Sequence, residues 1–274
     1  MRSFLYVPGN QPGMLASAPS RGADALIVDL EDAVPPAGKQ PAREAVSAWL
    51  RTSPAPVYVR VNAGPDGLDD ARAVIGPALR GLVVAKASVE QVRRLGTLLD
   101  DLDPGGRLTL VPLLETPQAV LTATEIASAP RVTRMQIGEA DLAAELGVTL
   151  GDDERELLFV RSTVVLASAA AGIEPPAAAV STDFRDLDAL RRSTRALKRL
   201  GFRGRACIHP AQIPVVHEVF TPTPQEVETA RDLVQRFEAA GGGVCLDARG
   251  RMVDLAVVRD ARRVLDLAGG TLPR

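Results

Sequence analysis

Short apolar runs recur along the chain at regular spacing, with helical patterns between them. Eight stand out: 4–7, 25–30, 57–61, 81–85, 109–114, 135–137, 177–180 and 205–208. They are mostly too continuous to be half-exposed, as expected of parallel strands buried on both faces. The intervening segments carry helix signals. Gly22 follows the first, and Gly172 follows a long segment, 152–171, that opens on two acids suited to a helix dipole. Leu187, Leu190, Leu197 and Leu200 share one helical face before Gly201, leaving a run of Arg and Lys as a solvated face. Thr223-Pro224-Gln225-Glu226 reads as a capping box with Pro at the first helical position, opening a helix that ends before Gly241. Eight strand–helix repeats favour an α/β protein built as a (β/α)₈ TIM barrel. The rival, an open doubly wound sheet, would want a nucleotide loop after the first strand. Pro8-Gly9-Asn10 matches neither GxGxxG nor a P-loop.

The pattern continues beyond the eighth unit. Gly241-Gly242-Gly243 is a flexible joint. The runs 244–246 and 252–255 flank Asp247-Ala248-Arg249-Gly250, a hairpin turn, and a last helix is expected over 257–267. The chain is therefore divided into a barrel domain, 1–240, and a C-terminal hairpin–helix extension, 241–274. Behind its glycine hinge the extension is a candidate lid and oligomerisation element.

Composition narrows the partners. With 3% aromatic residues the core must be aliphatic, and 32 basic against 34 acidic residues leave a net charge of −2, which invites neither nucleic acid nor a membrane surface. No apolar run approaches the roughly 20 residues of a membrane span, and the N-terminus reads as a first strand rather than a signal peptide. Two cysteines, Cys207 and Cys245, give no disulfide framework, so a cytoplasmic setting is expected. Two Cys and two His also make a zinc cage improbable.

The candidate chemistry stands just past the strand ends, where a barrel places its active site. Glu31 and Asp32 follow the second strand, Arg60 and Asn62 end the third, Lys86 follows the fourth, Glu115 the fifth, Glu139 and Asp141 the sixth, and His209 the eighth. Glu115 and Asp141, carboxylates after two buried strands, suggest a hard-cation site for Mg²⁺ or Mn²⁺; capping of the following helices is the alternative. Arg60 offers a guanidinium for a substrate carboxylate or a thioester oxygen, or a salt bridge to Glu31 or Asp32; alternation along its strand leaves its direction open. Lys86 has the chemistry of a Schiff-base residue, but beside a metal site an ion pair is the expectation. His209 is expected to pack or line a ligand, His217 to be surface or core, and Cys207 to act as a small hydrophobe.

These residues, taken in order, resemble a known family. Arg2-Ser3-Phe4-Leu5-Tyr6-Val7-Pro8-Gly9, Gly22-Ala23-Asp24-Ala25, Asp29-Leu30-Glu31-Asp32-Ala33-Val34, Val59-Arg60-Val61-Asn62, Glu115-Thr116-Pro117, Gly138-Glu139-Ala140-Asp141-Leu142, Cys207-Ile208-His209-Pro210-Ala211-Gln212-Ile213 and Arg251-Met252-Val253-Asp254 span nearly the whole chain. They are similar to the citrate lyase β-subunit-like proteins of the HpcH/HpaI aldolase group, with the malyl-CoA and citramalyl-CoA lyases. The resemblance implies a TIM barrel, Mg²⁺ (with Mn²⁺ as substitute), and reversible cleavage of a 3-hydroxyacyl-CoA thioester to acetyl-CoA and a 2-oxo acid. It places Glu115 and Asp141 on the metal, and Arg60, Glu115, Gly138 and Glu31 against the substrate. Arg60, Asp32 and Asp254 fall in the catalytic machinery. Glu31 and Asp32 would hold metal-bound waters. Asp254 would reach a neighbouring subunit of a homotrimer, or a multiple of one, as acid/base at the acetyl methyl group. The chain departs from the family's usual Gly-x-Glu-Asp, since Glu139 and Ala140 stand in reverse order while Asp141 keeps its place. Ala85-Lys86 also stands where many relatives have Pro-Lys.

Overall fold

The computed structural model describes residues 1–269. Eight parallel strands, β1 (Ser3–Pro8), β2 (Ala25–Asp29), β3 (Val57–Val61), β4 (Leu79–Val84), β5 (Thr109–Leu114), β6 (Arg134–Ile137), β7 (Glu174–Ala177) and β8 (Arg205–Cys207), pair in the order β7-β6-β5-β4-β3-β2-β1-β8. Just past β7, Ala178 closes the ring against β8: its N–H donates to the Gly204 carbonyl at 2.8 Å and its carbonyl accepts from Ala206 N at 3.0 Å. The expected (β/α)₈ barrel is thus the observed architecture.

Parity along the strands decides what faces the barrel axis. Phe4, Ala25, Ile27, Tyr58, Val83, Val111, Leu113 and Ala177 pack together as the interior. Side chains two residues apart share a face. Tyr6, Asp29, Arg60, Glu115 and Gln136 continue these same rows toward the strands' C-terminal ends or start directly above them. The direction of Arg60, which alternation alone leaves open, follows from its place two residues after Tyr58.

Two of the boundaries that differ from the sequence expectation lie around the seventh strand. The seventh strand begins at Glu174 rather than 177, and Pro175 and Pro176 lie inside it. Proline donates nothing to a ladder, but β6 and β7 pair only around Arg134↔Glu174 and Gln136↔Ala177, with a register shift between them. The long helix expected from 152 begins as a 3₁₀ turn, Arg155–Leu157, and becomes Leu158–Ala170. Glu154, at φ +49°, turns the chain first.

The chain divides into two compact units, Met1–His217 and Glu218–Arg274. The helix Pro224–Ala239, which a division at Gly241 leaves with the barrel, belongs with the second unit because Phe237 packs on Val253 and Val258. That unit holds the capping box at Thr223 and Glu226 and an antiparallel pair, Cys245–Leu246 with Met252–Val253. Its last helix, Leu255–Gly269, starts two residues before the expected 257 because Asp254 caps it: Oδ1 accepts from Ala256 N at 2.9 Å and Val257 N at 3.0 Å. No helix among the described residues is long and apolar enough to cross a membrane.

Candidate active site

The C-terminal rim of the barrel opens into a cavity of about 480 Å³. Asp29, Asp32, Arg60, Glu115, Gly138, Glu139 and Asp141 all line it. Four strand ends, those of β2, β3, β5 and β6, thus converge on one space.

Arg60 is held before any ligand arrives. It is the register partner of Asp29 on the neighbouring strand, so the two side chains project side by side. Its Nε and Nη2 donate to the two carboxylate oxygens of Asp29 at 2.7 and 2.6 Å. Its Nη1 lies 3.1 Å from Glu31 and 3.8 Å from Asp32, and its guanidinium carbon sits 5.2 Å from the centre of the Tyr6 ring. Burial works against the guanidinium charge, but Asp29 outweighs it and raises the Arg60 pKa. The Nε and Nη2 edge of the guanidinium is therefore taken by Asp29, and Nη1 lies beside Glu31. Asp29, 2% exposed, also accepts from the N–H groups of Glu31 and Ala33 at 2.9 and 3.1 Å. It ties the arginine to the loop bearing Glu31 and Asp32.

A second cation braces the same loop from behind. Lys39 Nζ donates to the carbonyls of Leu30 (2.9 Å) and Glu31 (2.7 Å) and to Asn62 Oδ1 (2.6 Å). Asn62 is itself fixed by Asp70 through its backbone N–H (2.8 Å) and its amide (2.6 Å). Asn62 thus supports the rim from outside the cavity lining.

Glu31 is buried and pairs with the Lys86 ammonium. Burial pushes the Glu31 carboxyl up. Partial desolvation opposes ionisation of the exposed Asp32, but its hydrogen bond with Glu31 and the charges of Lys86 and Arg60 draw its carboxyl down. The hydrogen bond that Lys86 donates to Glu31 raises its pKa in turn, which keeps it as an ammonium, the wrong state for a Schiff-base nucleophile. Lys86 takes a left-handed backbone, φ +46°, with its N–H donating to Glu115 Oε1 at 2.6 Å.

Glu115 is 2% exposed. Burial raises its carboxyl to about 7, against the Lys86 N–H and Arg60, while the charges of Glu31 and Asp141 add to the rise. Gly138 stands against it, and a Cβ there would lie 2.6 Å from Glu115 Cβ and 2.8 Å from Oε2. Glycine is thus required for Glu115 to occupy its place, a packing role beside the substrate role the resemblance gives Gly138. Asp141 sits in the first turn of the helix Glu139–Leu146, exposed toward the cavity.

Glu139 has a definite partner. Both its oxygens accept from Arg161 at 2.6 Å, and Arg161 also reaches Glu154 at 2.7 Å. Arg161, 4% exposed, projects from Leu158–Ala170 and clamps the helix that carries Asp141. The reversed Glu139-Ala140 order thus supplies a brace.

Asp29, Lys39 and Arg161 are the residues that sequence reading missed. Asp29 had a usable signal, its parity with Ala25 and Ile27. Arg161 and Lys39 had none: Arg161 reads locally as one more helix residue, and Lys39 binds mainly backbone carbonyls. His209 stacks on Phe184, with ring centres 4.8 Å apart, and its Nδ1 accepts from Ala211 N at 3.1 Å. His217 bonds Ser3 Oγ at 2.7 Å and lies 3.2 Å from Asp24, away from the cavity lining. Cys207 is fully buried, and burial pushes its thiol up to about 12, as suits a small hydrophobe.

The model of the HpcH/HpaI aldolase/citrate lyase family matches residues 2–210. Citrate lyase subunit beta of Leuconostoc mesenteroides subsp. cremoris is 32% identical, over 97% of this chain and 93% of that protein. A (3S)-malyl-CoA thioesterase of Cereibacter sphaeroides is 35% identical, over 96% of this chain and 93% of its own. Among solved structures, CitE of Mycobacterium tuberculosis in complex with magnesium, acetoacetate and coenzyme A superposes with a TM-score of 0.81. It is 32% identical, with 98% of each chain covered.

Proposed function

The chain belongs to the HpcH/HpaI aldolase/citrate lyase family, and from that premise we propose a Mg²⁺-dependent carbon–carbon lyase. Its substrate is a 3-hydroxyacyl-CoA thioester of the malyl-, citramalyl- or citryl-CoA type, and its products are acetyl-CoA and a 2-oxo acid. The observation that carries this reading is the meeting of Glu115, Asp141 and Arg60 in one cavity at the barrel's C-terminal rim.

The donor set suits a hard cation. Among the described residues no cluster of three or more acids, histidines or cysteines could cage an ion. Two carboxylates with room for substrate oxygens and water match what Mg²⁺ accepts, and Mn²⁺ can substitute. Glu115 and Asp141 would hold the ion, and Glu31 and Asp32 would hold its waters. When bound, the ion supplies Lewis-acid polarisation of the substrate's oxygen on the carbon beside the carboxylate.

The chain's own residues do the rest. Arg60, locked by Asp29, presents its Nη1 side to the thioester oxygen, where enolate charge develops on cleavage. Its orientation is set in advance, so little reorganisation accompanies the reaction. The hydroxyl proton leaves, the carbon–carbon bond breaks, and the enolate carbon takes a proton; nothing else enters or departs. We assign that last proton to Asp254, delivered from a neighbouring copy in a homotrimer or a multiple of one. Its position at a helix start, after the short β-pair, gives the carboxylate a fixed direction.

Incubating the protein with Mg²⁺ and malyl- or citramalyl-CoA should release acetyl-CoA and a 2-oxo acid, and EDTA should stop it. Free CoA with an intact hydroxy acid would instead identify a thioesterase, a second reading that the 35% identical malyl-CoA thioesterase supports. No reaction on any such thioester would remove the proposal.

A further inference from the structure

Among the described residues lining the cavity, three side chains carry hydrogen-bond donors: Arg60, Gln136 and Tyr6. Arg60 spends Nε and Nη2 on Asp29, and its Nη1 lies 3.1 Å from Glu31. Gln136, 3% exposed, donates from Nε2 to the phenol oxygen of Tyr6 at 3.2 Å. The phenol hydrogen itself has no acceptor among the described residues. Three acids of the lining are engaged otherwise: Asp29 with Arg60, Glu115 with the Lys86 N–H, and Glu139 with Arg161.

Parity and topology place that phenol. Tyr6 stands two residues after Phe4 on β1, so it packs on the barrel's apolar interior and forms the floor of the cavity. β1 and β6 are not neighbours, since β8 and β7 lie between them around the ring. The bond from Gln136 therefore spans the barrel and fixes the phenol oxygen. Arg60 lies over the same ring, its guanidinium carbon 5.2 Å from the centre. Burial raises the Tyr6 pKa, helped by the charges of Asp29 and Glu115 and opposed by Arg60 and the Gln136 bond, so the group stays a phenol. Accepting from an amide strengthens its own O–H as a donor. Buried donors are ordinarily satisfied, and this one lines the space that a substrate fills.

Cleavage moves the electrons of the breaking carbon–carbon bond onto the thioester oxygen. Glu115 and Asp141 are assigned to the other end of the substrate, so that oxygen has Arg60 alone. The hydrogens of Arg60 are already shared with Asp29 and Glu31. Preorganised donors aimed at developing charge are worth most where water is excluded, and Tyr6 brings an unspent one beside the guanidinium. Resting on the lyase reading above, we propose that Tyr6 is a catalytic residue whose hydroxyl donates to the thioester oxygen beside Arg60, with Gln136 fixing and polarising the phenol. Tyr6 keeps its proton throughout. The substrate hydroxyl loses one proton, the enolate carbon gains one, and the Tyr6 hydrogen bond strengthens as the oxygen becomes negative.

Tyr6→Phe in the full chain keeps the ring against Arg60 and the interior and removes only the donor. With Mg²⁺ and malyl- or citramalyl-CoA, kcat and kcat/KM should fall together, on the order of 100-fold, while KM changes little. Deuterium exchange into the acetyl methyl group should slow by a similar factor. Calorimetric Mg²⁺ affinity and thermal stability should stay at wild-type values. Gln136→Met leaves the phenol without its amide, and kcat should fall about 3–10-fold in the same pattern. Wild-type kcat or wild-type exchange in Tyr6→Phe overturns the inference and leaves the lyase reading standing. So does a loss confined to KM, or a slower turnover that comes with weaker Mg²⁺ binding or lower stability. A wild-type chain that cleaves no such thioester overturns the lyase reading, and the inference with it.

Discussion

The two ends of the barrel both carry buried charge, yet they are composed differently. At the N-terminal end two cations are each matched to one acid. Arg134 pairs with Glu174, and Arg2 binds Asp24 through its backbone N–H, Nε and Nη2. At the C-terminal end Arg60 and Lys86 face Asp29, Glu31, Asp32, Glu115 and Asp141. Pairs of equal number close a barrel, whereas a surplus of carboxylates prepares a place for a positive ion. The difference separates structural from functional charge without reference to any relative. It also states what substitutions at each end should do.

The largest effect belongs to the surplus. Glu115→Gln or Asp141→Asn should lower Mg²⁺-dependent kcat/KM on the order of 10³-fold, with folding retained. A variant with wild-type activity would remove that acid from the metal site. Asp254→Asn should slow deuterium exchange into the acetyl methyl group about 10²–10⁴-fold, while calorimetric Mg²⁺ binding stays unchanged. Because Asp254 is assigned to a neighbouring copy, mixing Asp254→Asn with Asp141→Asn subunits should restore part of the activity that each lacks. If unfolded and refolded mixtures stay as inactive as the separate variants, the shared-site assignment fails.

Much of this rim was legible in the sequence because strand ends and active sites coincide in this architecture. Arg60, Glu115 and Asp141 each follow or end an apolar run, and the structure brings all three to one cavity. What was hidden depended on contacts across the chain. Arg161 lies 22 residues from Glu139 and reads locally as one more helix residue. Lys39 braces a loop nine residues before it through carbonyl oxygens, which no side-chain pattern reveals. Asp29 looked like the tail of an apolar strand until its register partner proved to be Arg60. The seventh strand begins at Glu174 rather than 177, across Pro175-Pro176, where β6 and β7 pair only intermittently.

The balanced end should answer to stability and leave catalysis alone. Glu174→Ala leaves Arg134, 6% exposed and with its Nε lacking a hydrogen-bond partner, without its carboxylate. A loss of about 1–3 kcal/mol is expected in denaturant unfolding, the usual penalty for orphaning a buried polar group. At a temperature where the variant is folded, kcat/KM should match the wild type. A large loss of activity without a loss of stability would erase the distinction between the two ends.

The smallest effects are those of pH, and there the two ends should slope in opposite directions. Glu115 is raised to about 7 by burial. In the metal-free protein its contribution to stability is full below about pH 4 and is lost as pH rises through 7. A cation must displace that proton, so Mg²⁺ affinity should climb from pH 6 to 8, with proton release per ion falling over the same interval. Calorimetry in buffers of different ionisation enthalpy counts those protons, and a pH-independent affinity would contradict the assignment. At the other end burial also opposes ionisation of Asp24, but the bonds from Arg2 overcome it and hold the carboxyl at about 2. Its contribution is full above about pH 4 and is lost as pH falls toward 2. Asp24→Asn should flatten the acid limb of the stability profile and leave Mg²⁺ affinity between pH 6 and 8 unaltered. A change in that affinity would mean that the two ends are coupled through the barrel rather than independent.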